Sequence, residues 1–108
     1  MNELLAEVQA LVGEEYARAA EKFGRVNNSR HESYAVMLEG YEKAKDEIEI
    51  IDCDLGTLWT NIKNNSEEKR IVIRLQSIRQ NAEQLAAEAI QLAAMVYKAE
   101  LTETQKQE

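Results

Sequence analysis

With 108 residues the chain has the length of one domain, and a composition without proline and with only four glycines favours long helices over sheets. Its formal net charge of −7 argues against a nucleic-acid partner, because proteins that bind phosphate backbones place Lys and Arg against them. The longest apolar stretch, 86–96, is interrupted by Glu88 and Gln91 and is too short to span a bilayer, so no membrane partner is expected. A single cysteine, Cys53, and the lack of a basic segment before an apolar run predict a cytoplasmic location.

The first predicted helix ends at a glycine. Apolar residues recur at helical spacing from Leu4 to Phe23, and Gly24 stands where a left-handed C-terminal cap is favoured. This helix would be about 22 residues and roughly 33 Å long.

The second predicted helix begins at a capping box. Ser29 is followed three residues later by Glu32, a pair that satisfies unpaired amides at a helix start. Apolar residues continue at helical spacing from Tyr34 to Ile62. The helix would be about 33 residues and roughly 50 Å long.

The third predicted helix follows a polar break at 64–66, with Ser66 as its N-cap. From Ile71 to Ala99 its apolar residues alternate between spacings of four and three, which is typical of close helix packing. The segment 102–108 has no apolar anchor and is predicted to be a frayed tail. The sequence thus predicts a single all-helical domain over 1–101.

Helices two and three are expected to form a long antiparallel hairpin that helix one is too short to cover. The uncovered apolar area then requires another subunit. The predicted fold is all-α: a three-helix chain with a long antiparallel hairpin that assembles into an oligomeric helical bundle, a homodimer or a homotetramer.

Acidic side chains recur along helix two, within an arc of about 100° at 3.6 residues per turn. They are Glu32, Glu39, Glu42, Asp46 and Glu49. If the turn is centred on Asn65, antiparallel pairing puts Glu42 level with Glu88 and Glu39 level with Gln91. Carboxylates gathered in this way destabilise one another unless a cation compensates, and Mg²⁺ prefers such oxygen ligands. The alternative is an ordinary solvated helix face.

Two segments carry a resemblance to a known family. HESYAVMLEGYEKAKDEI at 31–48, followed by AAEAIQLAAMVYKA at 86–99, resembles the MazG-like all-α nucleoside triphosphate pyrophosphohydrolases, above all their small phage-borne members. In that family an E-x-x-E pair and an E-x-x-D pair on successive helices hold Mg²⁺, and the enzyme releases a monophosphate and pyrophosphate. The resemblance implies a nucleotide ligand, a phage-encoded protein in a bacterial host cell, and a metal site. The implied metal ligands are Glu39, Glu42, Glu88 and Gln91.

The chain departs from the family pattern at two positions. Gly40 stands where many members have a second consecutive glutamate, and Gln91 stands in place of the family aspartate. An amide oxygen supplies no charge, so both Mg²⁺ affinity and activation of a metal-bound water should weaken. Hydrolysis is therefore left open.

Four further residues are candidates for nucleotide binding. Lys22 and Arg25, close to a helix start, could meet phosphates, and His31 could contact a phosphate or base. Asp46, from the acidic series, completes the set. Ordinary surface positions are the alternative for each of them.

Three functions are therefore weighed. The first is a MazG-like nucleotide-binding protein that hydrolyses a nucleoside triphosphate with Mg²⁺. The second is a phage-encoded protein that sequesters a nucleotide immune signal without turnover. The third is a structural helical interaction module.

Overall fold

The computed structural model describes residues 2–106, which fold into three helices without any strand. Helix α1 spans Asn2–Phe23, α2 spans Arg30–Lys63 and α3 spans Glu68–Lys106. The predicted all-α class is confirmed, and α1 and α2 have nearly the predicted lengths.

Two of the predicted helix ends are confirmed by their capping geometry. Gly24 has a φ of 96°, in the left-handed region, and its N–H donates to the Ala20 carbonyl at 2.9 Å. At the start of α2, the Ser29 hydroxyl oxygen accepts a hydrogen bond from the Glu32 N–H at 3.1 Å. Both capping patterns involve residues only three or four positions apart, and the structure contains both caps.

The predicted N-cap at Ser66 is wrong, because this residue closes α2 instead. Asn65 adopts a positive φ of 52° and donates its N–H to the Ile62 carbonyl at 3.1 Å. The Ser66 N–H donates to the Asn61 carbonyl at 2.9 Å. This pair of bonds is a Schellman motif, and α3 begins only at Glu68.

Both α1 and α2 pack on α3, and over residues 2–106 they make no comparable contact with each other. The α2–α3 contact is close at Gly40, where a Cβ atom would lie 3.4 Å from the Leu92 Cδ1. The α1–α3 contact includes an edge-to-face pair between Tyr16 and Tyr97, with ring centroids 5.0 Å apart. α3 is therefore the shared support of the fold.

A polar cluster joins α2 to α3 near the loop between them. Asp54, which is 8% exposed, accepts hydrogen bonds from the Arg74 Nη1 and the Ser77 hydroxyl, both at 2.8 Å, and from the Asn81 amide at 3.2 Å. The Ser77 hydrogen bond holds the pKa of Asp54 below its usual value against the opposing effect of burial, with help from the Arg74 guanidinium. The carboxylate is therefore bound in its charged form.

The predicted frayed tail is contradicted as far as Lys106, because α3 continues to that residue. Thr102 is 2% exposed, and its hydroxyl oxygen accepts the Asn27 N–H at 2.9 Å while donating to the Lys98 carbonyl at 2.8 Å. Residues 107–108 lie outside the described residues. The anchor is a polar residue, so the lack of apolar residues in this segment did not indicate it.

The molecule is elongated and has a thin core. Its extents are 64 × 30 × 23 Å, and among the described residues Ala94 is the only buried hydrophobic one. Large apolar side chains are exposed at the end of α2 and the start of α3. They are Leu55, Trp59, Ile62, Val72, Ile73 and Leu75.

Over the described residues, none of the helices combines the length and the apolar character needed to cross a membrane.

Replacing Thr102 by Val should lower the free energy of unfolding by about 1–3 kcal/mol, because the buried Asn27 N–H would lose its acceptor. Thr104→Val is the matched control, since the Thr104 hydroxyl also donates to the carbonyl four residues earlier but is exposed. Urea unfolding of both variants measures the difference. Equal losses in the two variants would contradict a role for the Asn27 contact.

Asp54→Asn should destabilise the fold at neutral pH and much less in acid. Because the folded-state pKa lies below the ordinary value of 3.8, the stabilisation from charged Asp54 is complete above that pH and is lost as the pH falls through the lowered pKa. The difference in unfolding free energy between wild type and variant should therefore shrink below about pH 4. Denaturant titrations across this range test it, with the exposed Asp52→Asn as the control. A difference that does not change with pH would contradict the prediction.

Candidate functional site

A cleft of about 660 Å³ lies where α1, α2, α3 and the α1–α2 loop meet. The cleft forms because α1 and α2 each pack on α3 but do not pack on each other within the described residues. Its volume falls in the range of small-molecule sites in proteins. One part of the lining is apolar and comes from all three helices: Ala19, Phe23, Val36, Leu92 and Met95.

Three of the four predicted metal ligands line this cleft. Glu39 comes from α2, and Glu88 and Gln91 come from α3. Glu42 is exposed and is not among the lining residues. The structure therefore brings acids that are distant in the chain to one cleft, but without Glu42.

The carboxylates of the cleft differ in their bonding. Glu39 is an ion-pair partner of Lys43 at 3.3 Å, and its side chain is 70% exposed. Glu88 accepts a hydrogen bond from the Gln84 amide at its Oε1, at 3.2 Å. The Oε2 of Glu88 is buried and has no hydrogen-bond partner in the described structure. An acceptor left in this state costs free energy, and a donor from a ligand would remove that cost if the Glu88 side chain turned toward the cleft that it lines.

The cleft does not present a ready-made Mg²⁺ site. Over residues 2–106, no group of three or more His, Cys, Asp or Glu side chains could hold a metal ion. Glu88 and Gln91 offer oxygen atoms of the kind Mg²⁺ prefers, but Glu39 is already paired with Lys43. The predicted Mg²⁺ ligand set stays a prediction.

The four candidate nucleotide-binding residues, Lys22, Arg25, His31 and Asp46, are exposed and lie outside the cleft lining. The Lys22 ammonium lies 5.6 Å from the ring centre of Phe23, at the rim of the cleft. The Arg25 carbonyl accepts a hydrogen bond from the Tyr16 hydroxyl at 2.8 Å. Their roles in binding stay predictions.

The sequence analysis missed the basic group inside the cleft. Lys98 lines the cleft and is only 5% exposed. It follows Gln91 by seven residues and Met95 by three, so helical periodicity puts all three on one face of α3. This spacing could have pointed to Lys98. The contribution of α1, through Glu15 and the apolar residues named above, had no such signal.

Comparison with known proteins adds no assignment. The chain matches no family model, no curated protein and no solved structure. The resemblance to MazG-like enzymes therefore stays a prediction, and any assignment of function rests on the cleft itself.

Proposed function

We propose that this chain is a MazG-like protein that binds a nucleotide in the cleft between α1, α2 and α3. One observation carries the proposal: Glu39, Glu88 and Gln91, from the two segments that resemble the family, line a single cleft of about 660 Å³. A cleft of this size, apolar over part of its lining and with a few polar groups, is the usual form of a small-molecule site.

The lining suits the two chemically different parts of a nucleotide. Leu92, Met95 and the exposed ring of Phe23 offer apolar and aromatic surface for a base. The free Oε2 of Glu88 can accept a hydrogen bond from a base or sugar, or hold part of a Mg²⁺ shell. These features favour a nucleotide over an entirely apolar ligand.

A specific observation favours a second candidate function, sequestration of an intact nucleotide by a phage-encoded protein. Gln91 brings no charge, Glu39 is paired with Lys43, and residues 2–106 contain no cluster of three acids able to hold a metal ion. Carboxylate ligands would help to hold the Mg²⁺ that activates water for hydrolysis, so fewer available carboxylates weaken this chemistry. The cleft therefore supports binding more strongly than hydrolysis.

A nucleoside triphosphate that fits the cleft should raise the melting temperature of the protein. At a concentration of about one hundred times the Kd the gain is about 2.7 kcal/mol, which for a domain of this size is a shift of roughly 10 °C or more. Glu88→Gln should weaken binding about tenfold, because the amide replaces the free carboxylate oxygen with a competing donor. A thermal-shift screen of the common ribo- and deoxyribonucleoside triphosphates, with and without Mg²⁺, measures both effects.

Glu49→Gln is the control for Glu88→Gln, since Glu49 is an exposed acid of α2 that does not line the cleft. Chromatography of the ligand after denaturing the complex distinguishes sequestration from hydrolysis. Intact nucleotide supports sequestration, whereas monophosphate with pyrophosphate supports hydrolysis. No shift with any nucleotide, in either condition, would favour the structural-module alternative.

We further propose that α2 and α3 form the antiparallel hairpin expected from the sequence, and that a second copy of this chain covers its exposed apolar end. The accessible surface is 8120 Å², roughly a third more than the ~6,100 Å² expected for a compact monomer of this size. That excess is larger than the ~800 Å² that each partner buries in a standard interface. Trp59, 58% exposed, and Ile73, 53% exposed, belong to this end.

Trp59→Glu combined with Ile73→Glu should convert the assembly, a homodimer or a homotetramer, to monomers, because each buries a charge in an apolar interface. Lys69→Glu is the control, since it adds a carboxylate at an exposed position in the same part of α3. Light scattering after size exclusion gives the mass, and circular dichroism checks that the double variant remains helical. A wild-type protein that is monomeric at every concentration tested would contradict self-association.

A further inference from the structure

Lys98 is a largely buried residue whose ammonium has no partner in the described part of the protein. The residue is 5% exposed, and within residues 2–106 its ammonium makes neither a hydrogen bond nor an ion pair. The ammonium nitrogen is not among the fully buried polar atoms without a partner, so it keeps some contact with open space. Because Lys98 lines the cleft, a group bound there can become the partner of its ammonium.

The acids that share the cleft do not fill this role. Glu15 is paired with Arg18 at 3.2 Å, and Glu39 is paired with Lys43 at 3.3 Å. Glu88 precedes Lys98 by ten residues, which is roughly 15 Å along the helix axis. Glu32, the fourth acid of the lining, also forms no ion pair with Lys98 within the described residues. The four carboxylates attract the ammonium through their field, but none of them bonds to it.

The helical turn that carries Lys98 is held firmly in place. The Lys98 carbonyl accepts a hydrogen bond from the Thr102 hydroxyl, and the same hydroxyl oxygen accepts the N–H of Asn27 from the α1–α2 loop. Asn27 in turn donates from its side-chain amide to the Ser33 hydroxyl at 2.8 Å, and it also lines the cleft. Ordering the Lys98 backbone therefore adds little cost when a ligand binds, which is the advantage of a preorganised site.

We propose that Lys98 binds the anionic group of the ligand in the cleft. The inference rests on the proposed nucleotide-binding function, for which the anionic group is a phosphate. The two groups without partners, the Lys98 ammonium and the Glu88 Oε2, lie at different heights of α3 with Leu92 and Met95 between them. A nucleotide has a phosphate at one end and donors on its base at the other. The geometry thus orients the phosphate toward Lys98 and the base toward Glu88.

The test compares a nucleotide with its nucleoside in wild type and in Lys98→Met, which keeps the length of the side chain and removes the charge. The probes are the triphosphate with the largest shift in the thermal screen and the nucleoside of the same base, both titrated calorimetrically. Lys98→Met should weaken triphosphate binding roughly ten- to a hundredfold and leave nucleoside binding within about threefold. Without ligand, the variant should melt close to the wild-type temperature, because the ammonium makes no hydrogen bond or ion pair within residues 2–106.

Lys45→Met is the matched control, because it also replaces a lysine by methionine. Lys45 is exposed on α2 and does not line the cleft, so triphosphate affinity should change less than about threefold. Lys98→Gln provides a second neutral variant if Lys98→Met fails to fold. An equal loss of nucleoside and triphosphate binding in the Lys98 variant would indicate a structural role and overturn the proposal.

Other results separate this inference from the proposed function. Unchanged triphosphate binding by Lys98→Met overturns the role of Lys98 while leaving nucleotide binding intact. If no nucleotide binds wild type, inorganic triphosphate serves as the probe. If inorganic triphosphate binds to wild type but not to Lys98→Met, this result would support an anion site at Lys98 and reject a nucleotide as its ligand. No binding of inorganic triphosphate either would overturn both proposals.

Discussion

The hydrogen bond from the Asn27 backbone to the Thr102 hydroxyl holds the α1–α2 loop on the last turns of α3. Since α1 and α2 do not pack on each other within the described chain, this contact fixes the point from which the two helices diverge. The cleft lies in the space between them, so its shape depends on this buried polar contact as well as on the packing of both helices against α3. The same contact also fixes the turn of α3 that carries Lys98.

The fold as a whole depends on buried polar contacts to an unusual degree. With Ala94 as the only buried hydrophobic residue of the described chain, apolar burial within one copy is small. The Asp54 cluster joins α2 to α3 near their loop, and the Asn27–Thr102 bond joins the other loop to the far end of α3. Buried polar clusters contribute little net energy but strongly disfavour other registers, in which the groups that are bonded here would be unpaired. In the proposed assembly, the remaining stabilisation comes from burying the exposed apolar end against another copy.

Local signals in the sequence predicted the helices well and predicted the site only in part. Gly24 and Ser29 each act through hydrogen bonds to residues three or four positions away, so the sequence contains all that decides them. Ser66 misled because a Schellman motif and an N-cap both favour small polar residues after a helix. Thr102 could not be identified from sequence, since its burial depends on a partner 75 residues away.

The site residues also divide into those that the sequence could predict and those that depend on distant parts of the chain. Antiparallel register was used to bring Glu39, Glu42, Glu88 and Gln91 to one height of the helix pair, and all of them except Glu42 line one cleft. Register specifies the height along a helix, but it specifies the face that a side chain occupies only to within a broad arc. Lys98 was overlooked because a lysine near the end of a helix is usually solvated, and nothing local distinguishes it from one that is buried.

A negatively charged protein with an acidic cleft can still bind an anion, because the repulsion from its net charge and the attraction of Lys98 act over different distances. The net charge of −7 repels phosphates at long range and slows their approach, but this repulsion is screened beyond about 10 Å at 0.1 M salt. At bonding distance the local environment decides, and an ammonium within a cleft interacts more strongly with a ligand than one on the open surface. Glu15 and Glu39, each paired with a basic residue, contribute little to the local repulsion. Glu32 and Glu88, which form no ion pair within the described residues, then disfavour a ligand that is anionic along its whole length, and they favour one whose charge is confined to the part that contacts Lys98.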